Sequence, residues 1–423
     1  MAKLKILEIS NGLGVGGTAR TIQTFCRYLE ELGHDVHVVG VFTGGKRADE
    51  LVDEGFPVRI FNGDIQAVKN FLRSEKFDAI HIHRRGAYEA HWLELLLNRP
   101  APVIAETNIF GEYDSATVDL IDYHLMTSQM MLNERYLPEL PWSRRKNFWP
   151  KYRVLYYPVD IVYFEKFRLS ENEILQKKRE LGINDGDLVI GKVGARAALE
   201  KWSYLVTDMF PLLLKEVPNV KFILQAAPEV VIEDLKRTPY ADHFIFCPET
   251  IDEAEQAAYY QLLDIFVHTS KIGESFGHSL AEAMVWEKPV VVNSTPGVDN
   301  AQLELVEFGV TGYIASTPKS FAAAAAALLK NPGLSKRIGQ AGREKVRRDF
   351  DSLKTTKNLV NILSVNQNYN YFPSQTHITS YREEYRRRLR QDFCKADLWE
   401  VLKYQTYPRV KSELKLLLRG SRY

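Results

Sequence analysis

Two glutamates, Glu274 and Glu282, stand with seven residues between them in the run Gly273-Glu274-Ser275-Phe276-Gly277-His278-Ser279-Leu280-Ala281-Glu282. The spacing predicts a helix from about His278 that carries Glu282, with Glu274 in the loop before it. A Ser-Phe-Gly turn entering a helix leaves free backbone N–H groups, which suit a diphosphate. Carboxylates at the mouth of such a site accept hydrogen bonds from sugar or ribose hydroxyls. Two glutamates at this spacing, taken alone, are also ordinary surface chemistry.

A glycine-rich loop, Gly12-Leu13-Gly14-Val15-Gly16-Gly17, lies between a strand-like and a helix-like run. It contains G-x-G-x-x-G, whose glycines let backbone N–H groups approach a phosphate at a helix N-terminus. A dinucleotide site also needs an acid at the end of the second strand. That strand ends Val38-Val39-Gly40-Val41. A nicotinamide or flavin cofactor is therefore not expected. A different phosphorylated ligand, or a tight turn alone, stays open. His81 and His83 fall on one face of a strand. A metal site would want further ligands nearby, so packing in the core or a cleft is the expected role. Asp185-Gly186-Asp187 precedes a strand and reads as a turn. No metal ion or cofactor is inferred.

The elements that must position these residues alternate. Strand-like runs at 4–10, 36–41, 57–61, 79–83, 103–106 and 124–127 are interleaved with helical periodicity at 18–32 and 65–74. A second set follows, with strands at 188–193, 221–225, 243–246, 265–268 and 289–293. Helices are expected there at 205–215, 251–262, 279–286 and across the alanine-rich 322–330. Such alternation implies parallel sheets covered by helices, in two successive doubly wound α/β domains. The expected division is residues 1–163, residues 164–350 and an extension, 351–423.

Composition agrees with a soluble globular chain. Of 423 residues, 45% are apolar and 26% charged. No apolar run approaches the roughly 20 residues that span a bilayer. The N-terminus has no apolar signal region, and the three cysteines, Cys26, Cys247 and Cys394, lack zinc-site spacing. A cytoplasmic, thiol-reduced protein is expected.

The glutamate run resembles the E-x7-E motif of retaining family-4 glycosyltransferases, which have the GT-B fold. Other stretches agree in order. Val193-Gly194-Ala195-Arg196 with Glu200-Lys201 resembles the family's Gly-Arg-x4-Lys element. Tyr260 with Asp264 to Ser270 resembles the strand before the motif. Lys288-Pro289-Val290-Val291 and Gly309-Val310-Thr311-Gly312-Tyr313 resemble the strand and turn after it. Gly16-Gly17 stands at the N-terminal glycine pair, and Pro158-Val159-Asp160 at the interdomain segment. The resemblance runs over about residues 4–350. It departs at Asn108, where the family often has His, and at Gln225-Ala226-Ala227-Pro228 in place of Gly-x-Gly. Tyr157 replaces an Asn, and Pro296-Gly297 replaces Gly-Gly.

The resemblance implies two Rossmann-like domains facing a central cleft, and retaining transfer of a sugar from a UDP- or GDP-sugar without a metal. The acceptor would be a glycan or lipid-linked glycan, as in surface polysaccharide biosynthesis. Arg196 and Lys201 would neutralise the donor diphosphate as it leaves. Glu274 would hold the donor sugar, and Ser275, Phe276 and Gly277 would present backbone groups. Glu282 would hold the ribose. Ser279 and Leu280 would bring the helix N-terminus to the phosphates. Gly16 and Gly17 would approach the donor from the first domain, and Asn108 would stand near the substrate. A final helix near 353–363 would return to the first domain. A non-catalytic nucleotide-sugar or glycan-binding protein, and an epimerase or phosphorylase of the same architecture, remain alternative readings.

The net charge of +1 hides an asymmetry, because residues 380–423 hold twelve Lys or Arg against six Asp or Glu. The segment 142–151 mixes Trp142, Arg144, Arg145, Lys146, Phe148, Trp149 and Lys151. Both suit peripheral contact with an anionic membrane as well as a solvated face. Nucleic acid is not expected, since no nucleic-acid module is present.

Overall fold

The computed structural model describes residues 2–141, 151–194, 197–295 and 298–364. The chain forms two compact units, one of residues 2–160 with 350–364, the other of residues 161–349. The segment 142–150, Ala195, Arg196, Pro296, Gly297 and residues 365–423, with Cys394 and the basic tail, lie outside the described residues.

In the first unit seven parallel strands run β1 (Lys5–Gly12), β2 (Asp35–Thr43), β3 (Val58–Ile60), β4 (Ala79–Arg84), β5 (Val103–Asn108), β6 (Tyr123–Met126) and β7 (Tyr152–Val154), in the order β3-β2-β1-β4-β5-β6-β7. Alternation along β1 sends Ile6 to one face and Leu7 and Ile9 to the other. Ile6 joins Ile22, Phe25 and Leu29 of the helix Gly17–Glu31. Leu7 and Ile9 join Val68 and Leu72 of Ile65–Glu75 and Trp92 of Ala90–Leu96. Both faces are covered, so the strands read as nearly continuous apolar runs. The helix Ser352–Leu363 completes the first face with Leu359, Val360, Ile362 and Leu363. A backbone bond from Val159 N–H to the Phe350 carbonyl (2.8 Å) ties its approach to the end of the first stretch.

The second unit holds β8 (Leu188–Lys192), β9 (Val220–Gln225), β10 (Phe244–Cys247), β11 (Ile265–His268), β12 (Val290–Val292) and β13 (Gly312–Ile314), all parallel, in the order β10-β9-β8-β11-β12-β13. Phe222, Ile265, Val267 and Val291 pack with Phe210, Leu213 and Phe321. The alanine-rich helix starts earlier than its composition suggests, at Pro318, because Thr317 and Ser320 form a capping box. Helices at Glu171–Glu180, Glu229–Lys236 and Pro332–Asp349 are additional to those expected. Glu171–Glu180 buries no residue, so its polar composition hides the periodicity. Asp185-Gly186-Asp187 is a turn, with Gly186 at φ 93° and Asn184 N–H bonded to the Asp187 carboxylate.

Candidate active site

In the second sheet the strand order reverses between β8 and β11, so their carboxyl ends diverge and leave a crevice there. Lys192 ends β8 and His268 ends β11. A cavity of about 120 Å³ opens at this point, walled by Lys192, Lys201, Gln225, His268, Glu274 and Ser279.

Glu274 is fixed from both directions along the chain. Gly273 before it has φ 71°, and a Cβ there would lie 1.5 Å from the Asp299 carbonyl oxygen. Only glycine fits that conformation and that approach. The Glu274 N–H donates to Gln302 Oε1 (3.3 Å), and its carbonyl accepts from Ala301 N–H (2.9 Å). Gln302 is itself held by Asn293, Thr295 and Asn300. The loop is therefore built before any ligand arrives.

The Glu274 carboxylate faces two bases. Its Oε1 is 3.3 Å from His268 Nε2, and its Oε2 is 3.9 Å from Lys201 Nζ. Burial pushes its pKa up, but His268, Lys201 and Lys192 outweigh that and hold it down at about 2. Lys201 is the more accessible partner, with 46% of its side chain exposed. Lys192 is the deeper one. Its Nζ donates to the Thr269 carbonyl (2.9 Å) and lies 5.7 Å from the centre of the Trp202 ring. Burial pulls its pKa down to about 8, against the pull of Glu274. Burial and then Lys192 also lower His268. The cavity thus holds one firm anion, two ammonium groups and a weakly basic imidazole.

The helix His278–Val285 begins beside this cluster, capped by Gly277 at φ 107°. Its first intrahelical bond reaches back from Ala281 N–H to the Gly277 carbonyl, so His278, Ser279 and Leu280 N–H groups precede the ladder. Ser279 reaches the cavity wall. Leu280 is fully buried and Phe276 is 2% exposed, so each can offer a ligand only its backbone. The ring of Phe276 packs edge-on to His278, centroids 5.4 Å apart. Ser275 lies in the same turn, half-buried. Glu282 is 4% exposed, and its Oε2 accepts the Tyr260 hydroxyl at 3.0 Å. Arg196 lies outside the described residues.

The other expected residues belong to the first unit. Gly16 caps the helix Gly17–Glu31. A Cβ on Gly14 or Gly16 would meet nothing within 4 Å, whereas one on Gly12 would lie 2.4 Å from Thr43 Oγ1. Packing explains Gly12, whereas the space around Gly14 and Gly16 is open. Asn108 ends β5 fully buried, with Nδ2 donating to the Glu112 carbonyl (2.8 Å). Its side chain packs under Gly86, so it shapes the loop after β5.

His81 and His83 have a partner that the strand reading missed, Glu8 on the neighbouring β1. His83 Nε2 lies 2.6 Å from Glu8 Oε2, His81 Nδ1 3.0 Å from the same oxygen, and His81 Nε2 2.8 Å from Thr107 Oγ1. The ligand atoms of the three lie within 4.8 Å of one another. Burial raises Glu8, yet the two imidazoles hold it at about 2, and burial lowers His83 to about 4. Mutual hydrogen bonds therefore compensate this buried charge. On the opposite face of the same sheet, Glu106 binds Arg84 and His124 in a second buried ionic group. A larger cavity, about 610 Å³, is lined by Arg73, Lys76 and Arg99. It lies where β4 and β5 begin, the end of a parallel sheet away from its ligand-binding edge.

Lys192, His268 and Gln225 were not singled out as site residues from the sequence. Each sits in a run that reads as plain strand, and only the Gln225 departure marks one of them.

Residues 15–163 match the family model Glycosyltransferase Family 4, and residues 173–345 match Glycosyl transferases group 1. The capsular polysaccharide biosynthesis glycosyltransferase CapM of Staphylococcus aureus is 26% identical over 198 residues, 45% of this chain and 49% of CapM. Alpha-monoglucosyldiacylglycerol synthase of Acholeplasma laidlawii is 21% identical over 319 residues, 66% of this chain and 77% of that protein. Trehalose synthase of Thermococcus litoralis is 23% identical over 218 residues, 49% of this chain and 51% of the synthase. The chain thus spans about half the length of two of these three relatives. Among solved structures, Anabaena Alr3699/HepE in complex with UDP and glucose superposes with a TM-score of 0.68 at 17% identity, covering 86% of this chain and 100% of that one. WaaG, a glycosyltransferase involved in lipopolysaccharide biosynthesis, gives 0.57 at 12% identity, covering 85% and 100%. With a glycosyltransferase model on each half and two Rossmann-like α/β domains in succession, the chain belongs to the family-4 glycosyltransferases of the GT-B fold.

Proposed function

We propose that the protein transfers a sugar, with retention of configuration, from a nucleotide sugar to a glycan or lipid-linked glycan acceptor. The supporting observation is the Glu274–Lys201–Lys192–His268 cavity at the strand-order reversal of the group 1 domain. A departing nucleoside diphosphate gains negative charge, and fixed cations aimed at it stabilise the transition state. Lys201 and Arg196 take that role, with Lys192 behind them. Glu274, ionised and held in place, accepts hydroxyl hydrogens of the transferred sugar. The amides at the start of His278–Val285, from Ser279 and Leu280, meet the phosphates. Glu282 takes the ribose, and Gly16, where the backbone is open, and Gly17 let a phosphorylated ligand approach. No metal ion is required, since side-chain cations and helix amides supply the positive charge.

Complexes of HepE with UDP and with UDP-glucose favour a uridine nucleotide, and CapM favours a surface polysaccharide. The basic excess of residues 380–423 favours an acceptor presented at an anionic membrane face. No described helix is long and apolar enough to cross a membrane.

The test is a thermal-shift screen against UDP, GDP, ADP and their common sugars, with and without magnesium, followed by donor-turnover assays. One nucleotide series should raise the melting temperature irrespective of magnesium. Lys201→Ala and Glu274→Ala should each lower turnover at least tenfold. No shift with any nucleotide, or wild-type turnover in both variants, would overturn the reading.

A further inference from the structure

The widest departure of this chain near the cavity is Gln225. It ends β9, one residue beyond Leu224, which is in register with Lys192 on β8. Gln225 is 2% exposed, and neither its Nε2 nor its Oε1 has a hydrogen-bond partner among the described residues. Both atoms belong to a side chain on the cavity wall shared with Lys192, Lys201, His268 and Glu274. A buried amide with both ends unsatisfied is costly and is retained where something else satisfies it.

The chemistry of the amide limits what that is. It offers N–H donors and one carbonyl acceptor. A phosphate oxygen only accepts, and Lys192 and Lys201 already bring donors for it. A sugar hydroxyl both donates and accepts, so one that gives its hydrogen to Glu274 still accepts from the amide N–H, and a second hydroxyl can donate to the amide carbonyl. The backbone holds the side chain at this wall: Ala226 has φ 54°, and its N–H donates to the Cys247 carbonyl (3.0 Å). The chain then turns away from the sheet immediately after Gln225.

We propose that Gln225 is a specificity-determining residue that reads hydroxyl groups of the sugar being transferred. The inference rests on the nucleotide-sugar reading above. Gln225 together with Glu274 sets which sugar fits, while the lysines set affinity for the diphosphate. Because no partner among the described residues is lost, removing the amide leaves the ligand-free fold intact.

Gln225→Met keeps volume and removes both polar atoms. Melting curves and calorimetric titrations of the full chain with UDP, UDP-glucose and UDP-galactose, or with GDP and GDP-mannose if the screen selects guanosine, form the experiment. Expected is a ligand-free melting temperature equal to or above wild type. The bound nucleotide sugar should weaken tenfold or more, the effect of one or two lost hydrogen bonds to a buried partner. The parent diphosphate should change less than twofold, and preference between sugar epimers should narrow. Equal weakening of diphosphate and nucleotide sugar would place Gln225 on the phosphates or the base and overturn the proposal. Unchanged binding of both would remove it from the ligand, and a clear drop in ligand-free melting temperature would make it a structural residue. If wild-type protein binds no nucleotide sugar, the functional reading itself fails, an outcome distinct from these three.

Discussion

Lys192 gives the cavity a pH signature. Its ammonium is buried at the base of the cavity, and burial outweighs Glu274 to bring its pKa to about 8. Glu274, held near 2, stays charged throughout the neutral and alkaline range. A diphosphate prefers the protonated lysine, so affinity should be fully present below pH 8 and fall as pH rises through it, by up to about tenfold per unit. Stability moves the other way. An unfolded lysine titrates near 10.4, so between about 8 and 10.4 the unfolded chain binds more protons, and stability rises with pH there. Titration of wild-type protein with UDP from pH 7 to 9.5 should therefore weaken while ligand-free melting temperature gains a rising contribution. Lys192→Met should bind roughly tenfold more weakly at pH 7 and lose the alkaline fall. An alkaline fall that persists in Lys192→Met would assign it to another group.

The loop and helix that carry Glu274 and Ser279 depend on glycines placed by geometry. Gly273 combines φ 71° with an approach of 1.5 Å between its would-be Cβ and a carbonyl oxygen. Gly273→Ala should cost about 2–4 kcal/mol, from backbone strain and forced displacement of the 298–300 segment. The melting temperature should drop by several degrees, and the nucleotide-induced shift should vanish with it. Gly333→Ala, in the helix Pro332–Asp349 where a Cβ meets only Asn331 Oδ1 at 3.6 Å, should leave or raise the melting temperature. Equal effects of the two would refute the strain argument. This element was legible in advance: the E-x7-E spacing, the turn before the helix and the strand alternation all follow from residue type and period. Lys192, His268 and Gln225 were not, because a strand pattern tells which face a residue takes but not which strand lies beside it. Lys192 meets Thr269 across 77 residues, and Glu8 meets His81 across 73. Strand order brings these groups together, and local sequence carries no record of it. The burial of Asn108 and the Tyr260 partner of Glu282 likewise emerge only from packing.

At the scale of the molecule, the chain leaves its first unit at Asp160 and returns at Phe350, so stability of that unit depends on residues far along the sequence. The helix Ser352–Leu363 supplies Leu359, Val360, Ile362 and Leu363 to the core face formed by Ile6, Ile22, Phe25 and Leu29. All four are at most 3% exposed, and burying each is worth about 1.5–3 kcal/mol. Against the few kcal/mol by which a domain is stable, that contribution decides whether the first unit folds. A chain ending at Asp351 should therefore lose amide-exchange protection in Gly17–Glu31, β1 and β5, while a chain ending at Ser364 keeps it. The comparison isolates the helix, because both chains lack residues 365–423. Protection in β8, β9 and β11 should survive in both, since Phe222, Ile265 and Phe210 form a core of their own. Nucleotide added to either truncated chain should then slow exchange at the ends of β8 and β11 and around Glu274, where Lys192, His268 and Glu274 wall the cavity. If the shorter chain keeps full protection in β1, the apolar face of Gly17–Glu31 is covered by something other than this helix. If it loses protection in β8 as well, the two cores do not stand independently.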